Sequence, residues 1–192
     1  MKKTNANTLL EMLENDTRQI ILSLRQIQQQ DPEILLQVPA PGKWSVVQII
    51  EHLNTYGRYY LPKIRRGIGN TNFKPGTDFT AGWLGNYFTN SILPGKNGMI
   101  KNKMKAFKNH RPPTELDSHT VLNEFLKQEE DLLVLLQRAR TTSLEKIRIP
   151  VSIAPFIKIK LGDTFRFLIA HHQRHFVQIS NTMAALKSSL VH

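Results

Sequence analysis

The chain has 192 residues, of which 40% are hydrophobic and 21% charged. That is enough for one domain with a real core, here 1–192, and too apolar for a disordered or collagen-like polymer. It contains no cysteine, which excludes a disulfide framework, thiolate-held zinc, an iron–sulfur cluster and a cysteine nucleophile, so any metal must be held by nitrogen and oxygen ligands. A formal charge of +11, from 26 Lys+Arg against 15 Asp+Glu, raises a polyanionic partner, and the position of that charge has to decide the matter.

Helical periodicity dominates the chain. Met1 to Thr4 is basic, but Leu9-Leu10 is followed by Glu11, Glu14 and Asp16, so there is no signal-peptide core; no window approaches the roughly 18 apolar residues of a membrane span. These readings predict a soluble cytoplasmic protein with no membrane partner. Leu9, Leu10, Leu13, Thr17, Ile20, Ile21, Leu24 and Ile27 share one face of a helix over residues 5–29. Turn signals at Asp31-Pro32 and 39–42 follow. Ser45 is placed to cap a second helix whose stripe is Val46, Ile49, Ile50, Leu53, Tyr60 and Ile64, and Pro62 is expected to end or kink it.

Residues 67–113 read as a long connection. They hold seven of the ten glycines together with Pro75, Pro94, Pro112 and Pro113. Phe79, Trp83, Leu84, Tyr87 and Phe88 suggest a short helix folded onto the bundle. Asp117 or Ser118 can cap a third helix bearing Val121, Leu122, Phe125, Leu126, Leu132, Leu133 and Leu136. In the next connection, 141–162, Ile147, Ile149, Val151 and Ile153 alternate like a strand, but one run does not predict a sheet. Asp163 is read as the cap of a fourth helix carrying Phe165, Leu168, Ile169, Phe176, Ile179, Met183, Leu186 and Leu190. The expected fold is all-α, a four-helix bundle. With the crossover between the second and third helices, an up-down-down-up order is preferred.

Against these elements the charge is local. Residues 37–78 carry +4 and 79–113 carry +6, whereas 1–36 and 114–146 are slightly acidic. The densest run is Lys96, Lys101, Lys103, Lys105, Lys108 and Arg111. Only Phe107 interleaves with it from 96 to 111 and no helix-turn-helix or RNA-binding motif occurs, which argues against a nucleic-acid partner.

Seven histidines are present. His171 and His175, at i, i+4, lie one above the other on a helix face, the spacing with which two imidazoles can grip one ion. It is not the H-E-x-x-H motif, because His172 stands where the glutamate would be. His52 is the best candidate for a third ligand. It lies roughly 110–120° off its own apolar stripe, and His171 and His175 roughly 80–120° off theirs on the same rotational side, so all three border a cleft between helices. Core-edge imidazoles satisfied by hydrogen bonds are an open alternative, and a His172–His175 pair at i, i+3 is a rival. His172 is expected to be buried and hydrogen-bonded. Tyr56, one turn beyond His52, supports a ligand or simply packs. His110, His119 and His192 read as solvated side chains. Glu129 falls in the middle of the third stripe, where it is a fourth ligand, an acceptor for a histidine N–H, or a carboxylate reaching out at a bundle end.

Gly42-Lys43-Trp44-Ser45, then Ile49-Ile50-Glu51-His52-Leu53, and later Leu168 to His175 with Gln178-Ile179, resemble the DinB/YfiT-like superfamily of metalloenzymes, in order and over essentially the whole chain. The resemblance implies the same four-helix bundle, and a divalent metal, zinc or nickel, on one histidine of the second helix and two of the fourth, which here are His52, His171 and His175. It implies a small-molecule substrate, with thiol S-transferase reactions on low-molecular-weight thiols, hydrolases and isomerases among its activities, and frequent homodimers. The alternative class is a metal-free or nucleic-acid-binding bundle serving as a stress-response interaction module. The long basic crossover departs from the family pattern and bears on the substrate.

Overall fold

The computed structural model describes residues 3–95, 100 and 105–189. Lys96, Lys101 and Lys103 of the basic run, Leu190 of the last stripe, and His192 lie outside the described residues.

Helices α1 (Ala6–Gln28), α3 (Val46–Gly69), α5 (Ser118–Ala139) and α6 (Leu161–Ser189) form a four-helix bundle. The apolar stripes make one core. Leu10, Leu24, Ile49, Ile50, Leu53, Tyr60, Ile64, Phe125, Leu132 and Phe165 are all essentially sealed from solvent. α1 and α3 each pack against both α5 and α6. Cross-helix bonds fix the directions. Gln28 bonds Asn123 while Glu14 pairs with Arg140, so α1 runs against α5. Asn54 bonds the Val121 carbonyl while Arg65 pairs with Asp131, so α3 runs with α5. The contacts of His52 with His171 and of Tyr60 with Phe167 run α3 against α6.

Local chemistry explains where α3 and α5 begin. Ser45 and Gln48 form a reciprocal capping box at the start of α3, and the Asp117 carboxylate accepts the Thr120 N–H at the start of α5. Pro62 does not end α3, which continues to Gly69. Pro62 faces solvent, where the helical carbonyl it leaves without a donor can bond water instead.

The connections are more structured than composition suggests. A short α2 (Pro32–Leu36) follows the Asp31 cap. Within the crossover, β2 (Asp78–Thr80) pairs antiparallel with β1 (Lys3–Asn5), α4 (Trp83–Ile92) is the expected short helix, and a 3₁₀ turn spans Lys108–His110. The alternating run does form a sheet, contrary to the sequence reading: β3 (Arg148–Val151) and β4 (Ala154–Lys160) make an antiparallel hairpin. The helix after it also differs from expectation. α6 starts at Leu161, and the Leu161 and Gly162 N–H groups are satisfied by the Ile147 and Leu144 carbonyls, so no side-chain cap is needed.

Asp163 is therefore inside the first turn of α6, and it serves a different helix. Its carboxylate accepts the N–H of Gly82, the residue that opens α4, at 2.7 Å and pairs with Arg166 at 3.2 Å. Burial pushes the Asp163 carboxyl up, against the pull of these two partners. The close approach requires glycine at 85, where a Cβ would stand 2.4 Å from the Asp163 side chain. α4 is thus clamped to the start of α6, two turns below the histidines.

Candidate metal centre

Three side chains from two helices converge. His52 points from α3 and His171 and His175 point from α6, all of them buried. His52 Nε2 lies 3.3 Å from His171 Nε2, and His175 Nε2 lies 3.1 Å from the same atom. The i, i+4 spacing brings the α6 pair together, and antiparallel packing brings His52 to the same level.

The outer nitrogens decide what the inner ones offer. His52 Nδ1 stands 2.6 Å from the His110 backbone carbonyl, which can only accept, so that nitrogen carries the proton and Nε2 is a bare lone pair. His175 Nδ1 stands 2.9 Å from Gln178 Oε1 and is fixed in the same tautomer. Two lone pairs therefore aim at one point beside a third imidazole nitrogen. A proton on His171 Nε2 can serve only one of them, whereas a cation at that point serves all three. His171 Nδ1 has no hydrogen-bond partner among the described residues. Its ring is oriented instead by Phe167, parallel to within 6° at 5.9 Å, and by Tyr56 at 4.4 Å. The donor set, three neutral imidazoles and no carboxylate, fits a borderline divalent ion such as zinc or nickel.

His110 is the residue the sequence reading missed. It is buried, not solvated. Its ring stacks on Tyr56 at 4.0 Å, and its Nδ1 lies 2.8 Å from the Thr55 hydroxyl. Because Thr55 gives its only proton to the His52 carbonyl, His110 Nδ1 must donate to Thr55. The end of the crossover is in this way strapped to the first candidate ligand. No periodicity could reveal it, since the bond to His52 uses a backbone carbonyl that every residue has. Phe167 was also missed, although its i, i+4 spacing to His171 was a usable signal.

His119 is exposed, as expected. His172 is buried and does not join His175. Its Nδ1 lies 2.9 Å from Glu129 Oε1, and Glu129 is itself only 1% exposed. Neither side chain makes a hydrogen bond among the described residues, so the expected burial of His172 holds and its expected hydrogen bond does not. Glu129 neither reaches a bundle end nor belongs to the convergent group. It is the companion of His172 in the core. Trp44 lies 5.2 Å from His52, tilted against that ring.

Burial holds the imidazoles neutral. It lowers His52 to about 4, against the opposing His110 bond, and holds His171 and His175 well below the ordinary histidine value. Such groups bind protons more readily when unfolded. Stability of the metal-free protein is therefore complete above about pH 6.5 and falls as pH drops from there toward the folded values, by up to ~1.4 kcal/mol per pH unit for each histidine. Urea midpoints of metal-free protein should decrease from pH 7 to pH 5. A midpoint that rises over that interval contradicts the assignment.

A sequence model describing the DinB superfamily matches residues 9–179. The chain belongs to the DinB superfamily. Among solved structures, this DinB-superfamily chain is similar to YfiT from Bacillus subtilis, described as a probable metal-dependent hydrolase with an unusual four-helix bundle topology. The two share 14% identity with a TM-score of 0.53, over 97% of this chain and 87% of YfiT, a likeness of fold. No curated protein sequence matches the chain. No helix among the described residues is long and apolar enough to cross a membrane.

Proposed function

We propose that this protein is a divalent-metal-dependent enzyme acting on a small molecule, with His52, His171 and His175 as the ligands, zinc or nickel as the ion, and hydrolysis as the reaction class. The observation that carries the reading is the pair of Nε2 lone pairs, each fixed by a bond on the opposite side of its ring, directed at the third imidazole. The description of YfiT as a probable metal-dependent hydrolase supports the choice of reaction. Held by these three neutral imidazoles, such an ion would lower the pKa of a bound water or thiol toward neutrality.

The chain's own residues supply the setting. His110, Thr55 and Gln178 fix tautomers, Phe167 and Tyr56 hold the His171 ring, and Trp44 and Tyr56 flank His52. A second reading, transfer of a low-molecular-weight thiol, draws on the exposed Lys105, Lys108 and Arg111, which lie along the strap on either side of His110 and would attract an anionic thiol. One assay tests both: chromogenic esters and amides alone, and electrophiles offered with a thiol, before and after chelation. Turnover lost on chelation and restored by zinc or nickel is expected. Turnover indifferent to chelation contradicts the proposal.

A further inference from the structure

α3 carries three tyrosines in quick succession, and their hydroxyls are in different situations. The Tyr60 hydroxyl accepts the Ser152 N–H at 3.1 Å, and the Tyr59 hydroxyl donates to the Val151 carbonyl at 3.5 Å. Tyr56 is 6% exposed, yet its hydroxyl makes no hydrogen bond to any described residue, nor is its oxygen among the described atoms sealed from solvent without a hydrogen bond, which belong to Asn54, Glu129, His171 and His172. The hydroxyl therefore opens on a space that solvent or a ligand can enter. The ring behind it is packed on several sides. It stacks on His110 at 4.0 Å, lies 4.4 Å from His171 and 5.2 Å from His52, and packs against Tyr60 at 6.3 Å. A mostly buried tyrosine whose ring is packed on several sides normally finds a partner for its O–H.

The rings nearest this phenol include two of the three candidate ligands, so the missing partner is sought in whatever those ligands hold. We infer that the Tyr56 hydroxyl is the hydrogen-bond donor to the water, oxyanion or thiolate that occupies the position left open by His52, His171 and His175. The inference rests on the metal reading above. It gives the site a preference for small anionic ligands, because one charge-assisted bond from a fixed donor favours an anion over a neutral molecule of the same size. It also separates Tyr56 from Tyr60, whose hydroxyl is occupied elsewhere.

The test uses full-length protein loaded with cobalt(II) and titrated with azide, followed by the visible absorption of the cobalt. Tyr56→Phe keeps the ring packing and removes only the donor. It should bind cobalt at the wild-type stoichiometry and bind azide about tenfold more weakly, the scale of one hydrogen bond to a charged group. Tyr60→Phe should leave azide affinity unchanged. Cobalt-loaded Tyr56→Phe with azide affinity within about twofold of wild type overturns the inference and leaves the metal reading standing. Loss of cobalt uptake in Tyr56→Phe, with the helical circular dichroism retained, also overturns it, since Tyr56 would then support the ligands and not what they hold. Wild-type protein that takes up no cobalt overturns both.

Discussion

His171→Ala is expected to weaken binding of a divalent ion by well over about a hundredfold, the upper end of what losing a merely supporting contact costs. His171 Nε2 is the atom shared by both short nitrogen–nitrogen approaches, to His52 at 3.3 Å and to His175 at 3.1 Å. Removing it leaves two ligands on facing helices, fewer than the three of a catalytic zinc site. Gln178→Ala provides the internal scale. It removes only the acceptor that fixes the His175 tautomer and should cost about 10–100-fold. Isothermal titration with zinc ranks the two variants. Equal affinities for wild type and His171→Ala would remove the histidine group from any role in binding a metal.

The second large effect concerns stability. Glu129→Ala strips the companion from His172 in a region where neither side chain reaches solvent, the two being 1% and 2% exposed. A loss of about 3–5 kcal/mol is expected, because the variant removes the close contact of His172 Nδ1 with Glu129 Oε1 and opens a cavity beside a buried imidazole. The double variant Glu129→Leu with His172→Phe removes both partners and fills the space, and it should recover most of that loss. Chemical denaturation of the three proteins checks the cycle. A Glu129→Ala loss under about 1 kcal/mol would mean that the pair is not coupled in the fold.

Much of this is legible in the sequence. The apolar stripes of the four long helices, the Ser45 and Asp117 caps and the His171/His175 spacing all follow from a period of 3.6, and that period is imposed by burial on one side of a helix. His52 was legible as well, since its offset from the α3 stripe matches that of the α6 pair. What escaped depends on contacts between segments far apart in the chain. The β3–β4 hairpin is harder to read because Pro155 and the exposed Phe156 interrupt the start of β4, although Ile157-Lys158-Ile159-Lys160 does alternate and was a usable signal for a second strand. Asp163 looked like a cap for its own helix, because its role at Gly82, 81 residues away, has no local signature. Gly162, the last residue of the expected connection 141–162, lies in α6 and leaves room for Phe79, whose ring would stand 2.5 Å from a Cβ there. His110 followed the general expectation for a histidine in a loop, and only the return of the crossover to α3 buries it.

The basic charge takes a more specific place in this account. Of the crossover cations among the described residues, Lys105, Lys108 and Arg111 are exposed on the strap whose His110 carbonyl holds His52, which puts positive charge on the segment that orients the first candidate ligand.

X-ray absorption at the zinc edge, on untagged protein reconstituted to saturation, is the most direct test. The account predicts one zinc per chain with three imidazole nitrogens at about 2.0–2.1 Å and at least one further light atom. Failure to take up stoichiometric zinc or nickel, or a coordination shell without imidazole scattering, would contradict it.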